Sequence, residues 1–224
     1  DMLPQVASAS GIHRKGLVLS AITRLKQICN HPSLAIKDGA SLDGRSVKLQ
    51  RVEQLLEEML AEGDKVLLFT QFAQMGHLLR PYLAEKFGID VLFLHGALPK
   101  KARDKMVDRF QDPQGPALFI LSLKAGGLGL NLTQANQVIH FDQWWNPAVE
   151  EQATDRAYRI GQQRTVQVRR LVCQGTLEEK ISALLSRKRE LAAEVVGSTR
   201  NMVTELSTDE LRDLLSLTSQ FGEH

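Results

Sequence analysis

Val66-Leu67-Leu68-Phe69 is four apolar residues in a row, entered from Lys65 and left through Thr70-Gln71. A short, wholly apolar run of this kind marks a strand buried on both faces, as in a parallel sheet covered by helices on both sides. The pattern repeats downstream of it. Residues 89–94 and 117–121, then Val138-Ile139-His140-Phe141 and residues 165–172, all read as strands. Helical spacing fills the gaps: to about Phe87, from about Pro99 to Phe110, and over about 148–160. Pro81 lies inside the first of these helices and is expected to kink or split it. Pro99 suits the first helical position of the second. Strands alternating with helices over loops of a few residues are βαβ units, hence an α/β fold with a mainly parallel sheet and helices on both faces. Ligands in such folds sit at the carboxyl ends of the strands.

Upstream, residues 13–29 have apolar positions at helical spacing, and His31-Pro32 stops that helix. Residues 37–46 read as a flexible loop and a domain boundary. A helix over about 47–62 follows, with Ser46 as N-cap. Downstream, Thr176-Leu-Glu-Glu and Ser207-Thr-Asp-Glu each read as a capping box opening a helix, and Gly197 as the end of the first of them. The expected division is therefore a helical segment and loop over 1–45, the α/β lobe over 46–175, and a C-terminal helical extension over 176–224. The apolar faces of these appendages serve packing or dock on a partner protein; the first C-terminal helix is expected to pack.

The chain has 224 residues, 43% hydrophobic and 24% charged, with a net charge of +2. That composition fits a globular domain, and so small a charge requires any nucleic-acid footprint to be local. Two cysteines, Cys29 and Cys173, make neither a disulfide framework nor a zinc set. No metal site is expected. With no signal peptide and no run of transmembrane length, an intracellular setting is expected. The chain opens at Asp1 and is expected to be a fragment of a longer protein.

Two stretches carry chemistry. In Gln152-Ala-Thr-Asp-Arg-Ala-Tyr-Arg159, a helix would bring Gln152, Asp155, Arg156 and Arg159 to one side and Val149, Ala153, Ala157 and Ile160 to the next. Two guanidiniums one turn apart, with a carboxylate and an amide between, suit a polyanion such as nucleotide phosphate, or else form a solvated face of ion pairs. Ser122-Leu-Lys-Ala-Gly-Gly-Leu-Gly-Leu-Asn-Leu132 is glycine-rich and able to bring backbone N–H groups to a phosphate, or is a plain turn. Leu132 stands where a dinucleotide fingerprint would want a small residue, which argues against a nicotinamide enzyme. There is no Gly-x4-Gly-Lys-[Ser/Thr] loop and no strand ending in paired acids, so the chain does not grip ATP with magnesium by itself. An arginine-rich helix without its own phosphate loop suggests half of a composite site.

Six segments then occur in order: Leu25-Lys-Gln-Ile-Cys-Asn-His-Pro32, Val66-Leu-Leu-Phe-Thr-Gln-Phe72, Leu94-His-Gly96, Gly126-Gly-Leu-Gly-Leu-Asn-Leu132, Phe141-Asp-Gln-Trp-Trp-Asn-Pro147 and Gln152-x-x-Asp-Arg-x-x-Arg-Ile-Gly-Gln162. Together, from about residue 13 to about 195, they resemble the C-terminal motor lobe of the Swi/Snf-type DNA translocases, a branch of the superfamily-two helicase-like ATPases. Two departures stand out: Gly44-Arg-Ser-Val-Lys-Leu49 replaces the usual Ser-Gly-Lys-Leu, and Pro81 is unusual in its helix.

The resemblance implies a RecA-like lobe that closes with a first lobe on ATP and duplex DNA. ATP with Mg2+ would be held mainly by that first lobe. Arg159 is implied as arginine finger and Arg156 as a second phosphate-facing arginine, oriented by Gln152 and Asp155. Gly127, Gly129 and Asn131 would line the cleft between lobes, and Asp142 would meet the nucleotide sugar or brace an arginine. On the DNA side it implies Thr70, Gln71, Ser122 and Lys124 at phosphates, positioning the protein without reading sequence. Trp144 and Trp145 are core aromatics or lie against the minor groove or backbone.

The implied activity is that of an ATP-driven double-stranded DNA translocase or remodeller, nearly inactive as a lone lobe. The partners are double-stranded DNA and the first lobe, with no membrane, in bacterial cytoplasm or a nucleus. The rivals are a lobe of a strand-separating helicase, against which the Asp142-Gln-Trp-Trp-Asn-Pro segment argues, and a non-catalytic docking module of the same fold, against which the arginine pair argues.

Overall fold

The computed structural model describes residues 6, 8–36, 38–122, 130–144, 147–158, 161–162, 164–191 and 206–217. Its centre is a five-stranded, all-parallel sheet in the order β2-β3-β1-β4-β5. The strands are β1 (Val66–Thr70), β2 (Val91–Leu94), β3 (Leu118–Ser122), β4 (Gln137–His140) and β5 (Gln167–Arg170). β1 lies in the middle, with Val66 opposite both Leu118 and Gln137. Every residue of β1 to β4 is buried, which is why β1 to β3 read as mostly apolar runs, while β4 also buries the polar Gln137 and His140. β5 is a half-exposed edge strand, shorter than expected.

Alternation along the strands divides two cores. Val66, Leu68, Phe93, Ile120 and Ile139 face α3 (Val47–Ala61) and α4 (Ala73–Phe87). Leu67, Phe69, Leu92, Phe119 and Val138 face α5 (Lys100–Gln111) and α6 (Pro147–Thr154). Ser46 caps α3 by accepting the Leu49 N–H at 3.1 Å. α4 packs so closely on β2 that a Cβ at Gly76 would come 2.3 Å from the Phe93 ring. The helix ends on Gly88 at φ 63°, a left-handed position that favours glycine.

Around this lobe, α1 (Gly11–Asn30), α2 (Ser33–Ile36), α7 (Leu177–Leu191) and α8 (Thr208–Leu215) complete the described helices. Val18 and Ile22 of α1 meet Ile181 and Leu185 of α7 and Leu211 and Leu214 of α8 in a third core. The two terminal segments, expected as separate appendages, thus pack on one another.

Several local expectations are corrected. α4 runs unbroken through Pro81, because that residue faces solvent, where water can reach the carbonyl left without a donor. Pro99 is the N-cap of α5, with extended backbone, not its first helical residue. The helix expected over 148–160 ends at Thr154; the next residues tighten into turns, with the Arg156 and Ala157 N–H groups reaching the carbonyls three residues back. At Thr176 the capping exchange is shifted: its hydroxyl accepts the Glu178 N–H, while Glu179 accepts the Gly175 N–H. The box at Ser207 forms as expected. Gly197 lies outside the described residues.

Candidate functional site

Adjacent strands β1 and β4 send their connections in opposite directions, so their carboxyl ends form the switch point where α/β folds usually take a ligand. Here side chains fill it. Asp142, fully buried, accepts the Thr70 hydroxyl at 2.6 Å and the Asn30 amide at 2.9 Å on one oxygen, and the Gln71 N–H at 2.9 Å on the other. Asn30 in turn accepts from Lys48 at 3.1 Å, and Lys48 pairs with Glu178 at 2.7 Å with both side chains out of solvent. Lys26, 1% exposed, donates to the Gln143 carbonyl at 2.5 Å, and Gln71 donates to the same carbonyl at 3.1 Å. Burial lowers the Lys26 pKa to about 8, against the opposing pull of Asp142 and Glu178. Asp142 therefore braces α1 and β1 from inside; it does not open on a cleft.

The other half of the same edge is open. A cavity of about 440 Å3 lies across the carboxyl ends of β1, β2 and β3, lined by Gln71, Gln74, His77, His95 and Ser122 among others. The His77 and His95 rings lie 5.0 Å apart, and partial burial, then the charge of His77, lowers the His95 pKa. The wall offers an amide pair, two imidazoles and backbone groups, which suit phosphate oxygens. Thr70 and Ser122 are buried; Thr70 turns its hydroxyl to Asp142, whereas Ser122 lines the cavity.

The arginine segment lies elsewhere. Ala153 and Ala157 anchor it in the core under the second sheet face, beside Leu132 and Ala135. The Leu132 N–H donates to the Arg156 carbonyl at 2.9 Å, and the Gln162 amide donates to the Ala135 and Ala157 carbonyls. This stitches the end of the glycine-rich stretch to the arginine turn, and the Thr154 hydroxyl just before that turn lies 3.1 Å from His140 at the end of β4. Gln152 and Asp155 are exposed, whereas Arg156 is 4% exposed. The shorter helix explains the difference: past Thr154 the turns no longer hold Arg156 on the exposed side with Gln152 and Asp155. Asn131 is exposed beside Leu132.

Trp144 is half-buried against the second core, and its N–H donates to Glu150 of α6 at 2.7 Å. Lys124, Gly127, Gly129, Trp145 and Arg159 lie outside the described residues. The sequence reading missed Lys26, Asn30, Lys48 and Glu178. Lys26 and Asn30 sat within one quoted motif and Lys48 within another quoted segment, but the lysines look like surface residues of amphipathic helices. Among the described residues no group of three or more His, Cys, Asp or Glu is placed to hold a metal, and no helix is long and apolar enough to cross a membrane.

Comparison with known proteins adds the family. The model of the helicase conserved C-terminal domain matches residues 47–161. YwqA of Bacillus subtilis (strain 168), described as an ATP-dependent helicase/translocase, is 50% identical over 221 residues, covering 98% of this chain and 24% of that protein. The chain spans about a quarter of the length of the curated relatives it matches. Among solved structures, the C-terminal domain of the Sulfolobus solfataricus SWI2/SNF2 ATPase superposes with TM-score 0.81 and 43% identity, over 97% of this chain and 89% of that one. The core of the same ATPase in complex with double-stranded DNA superposes with TM-score 0.85 and 46% identity, over 97% of this chain and 45% of the other.

Proposed function

This chain belongs to the helicase conserved C-terminal domain family, in its Swi2/Snf2 branch, and from that premise we propose that it is the C-terminal ATPase lobe of an ATP-driven double-stranded DNA translocase. Its site is composite. A partner lobe holds ATP with Mg2+, and this lobe closes on the triphosphate. Arg159 acts as the arginine finger and Arg156 as a second arginine, with Gln152 and Asp155 orienting them and Gly127, Gly129 and Asn131 lining the cleft between lobes. The open carboxyl-edge cavity, with Gln71 and the backbone around Ser122, meets the phosphates of one DNA strand, joined by Lys124. Trp144 and Trp145 belong to that side. Alone, the lobe hydrolyses little ATP.

The observation that carries this reading is the bond from the Leu132 N–H to the Arg156 carbonyl, which joins the two stretches bearing the glycines and the arginines. A lobe so built brings its charge and its backbone N–H groups to one place, where charge develops as the γ-phosphate leaves. In such a motor, closure on ATP and reopening after hydrolysis alternate the grip on the backbone.

The test is Arg159→Ala in a protein carrying both lobes. ATP turnover is expected to fall by a factor on the order of a thousand while ATP still binds. Normal turnover removes the assignment. An unwinding assay separates translocation from strand separation, the second reading.

A further inference from the structure

Three consecutive residues, Asp142, Gln143 and Trp144, are each held by a neighbouring helix. α6 holds Trp144 through Glu150. α1 holds the other two: Asn30 donates to the Asp142 carboxylate at 2.9 Å, and Lys26 donates to the Gln143 carbonyl at 2.5 Å. That carbonyl also receives Gln71, a wall residue of the open cavity. The segment thus links the cavity wall, through the Gln71–Gln143 hydrogen bond, to Glu150 of α6, and the end of α1 holds it in place.

A buried ammonium is an expensive way to fill space. An unbranched apolar side chain would occupy the site of Lys26 without the desolvation cost, although it would leave the Asp142 and Glu178 carboxylates with one cation fewer nearby. The lysine nevertheless donates to a main-chain carbonyl in the segment. Asn30 is equally committed, with its amide on Asp142, its carbonyl oxygen taking Lys48 and its backbone carbonyl taking the Ser46 hydroxyl at 2.7 Å.

Resting on the function proposed above, we infer that Lys26 and Asn30 are positioning residues that couple the DNA-facing cavity to the arginine segment through residues 142–144. They touch neither ATP nor DNA. They fix the segment so that a change at Gln71 is passed to α6 rather than absorbed by a slack loop.

The test is Lys26→Met in a two-lobe protein, beside Lys26→Arg and Arg159→Ala. In Lys26→Met, DNA-stimulated turnover is expected to fall about tenfold with KM for ATP unchanged. The melting temperature of the 224-residue chain should fall by less than about 5 °C. Lys26→Arg, which keeps the charge and the donor, should recover most of the loss. Full DNA stimulation in Lys26→Met overturns the inference, as does a drop in melting temperature of more than about 5 °C that accompanies the loss. So does a folded Lys26→Arg that recovers nothing. If Arg159→Ala loses turnover while Lys26→Met keeps its DNA response, this inference alone fails. If Arg159→Ala keeps its turnover, the parent reading and this one fall together.

Discussion

The two halves of the carboxyl edge are built from similar residues and put to opposite uses. Between β1 and β4, Thr70, Asp142, Asn30 and Lys48 bond to one another and leave no opening. Across β1, β2 and β3, Gln71, Gln74, His77 and His95 border a cavity of about 440 Å3. The difference lies in what covers each half. α1 and α7 cap the first, bringing Asn30, Lys26 and Glu178 to its polar groups. Nothing among the described residues caps the second. Polar residues at strand ends are therefore a site only where no appendage has claimed them.

The sharpest way to break this comparison is to remove one member of the closed half. Lys48→Ala would strand Glu178, fully buried, without its cation, and should destabilise the chain by about 3–5 kcal/mol in chemical denaturation. Lys48→Met with Glu178→Leu removes both charges and should recover most of that loss. If the single variant is as stable as the parent, the closed half is not held by this pair.

A second probe is acid. His140 ends β4 behind the closed half, 1% exposed, and burial, then the charge of Arg170, pushes its pKa down to about 4 from 6.5. The unfolded chain takes its proton first, so the stability is complete above pH 6.5 and drains away as pH falls toward 4. The loss should reach roughly 3 kcal/mol, read as denaturation midpoints across that window. His140→Gln should flatten the slope.

The smallest expected change in stability is in the open half. Gln74→Ala should leave stability within about 0.5 kcal/mol, because the residue is exposed and its removal opens no core. On the proposed function it should still weaken DNA binding measurably, by about threefold. A stability loss like that of Lys48→Ala would erase the contrast between the halves.

The same contrast explains what was legible from sequence. The sheet was, because β1 to β4 are buried on both faces and write that as mostly apolar runs; β5, half-exposed at the edge, gave only approximate ends. α2 is four residues long, too short for helical periodicity to register. Pro81 misled because its tolerance depends on solvent at one carbonyl. Within the candidate site, the arginine stretch and the glycine-rich stretch were each legible as chemistry suited to phosphate. That Arg156 is nearly buried and Asp142 wholly so was not, since both depend on segments far away in the chain. Lys26 was invisible for the same reason: a lysine on an amphipathic helix reads as solvent-facing until something else covers it.

The central position of β1 carries a consequence for how the molecule is made. Val66 must wait for Leu118 on one side and Gln137 on the other, so the first strand of this sheet is flanked on both sides only after three later strands have been made. Until about residue 122 has left the ribosome its main-chain donors and acceptors have no partner strand, because β2 joins only through β3, and until about residue 140 its other edge stays open. Such a nascent chain folds late and is sticky meanwhile. Any expression boundary set between Thr70 and Gln137 would freeze it in that condition.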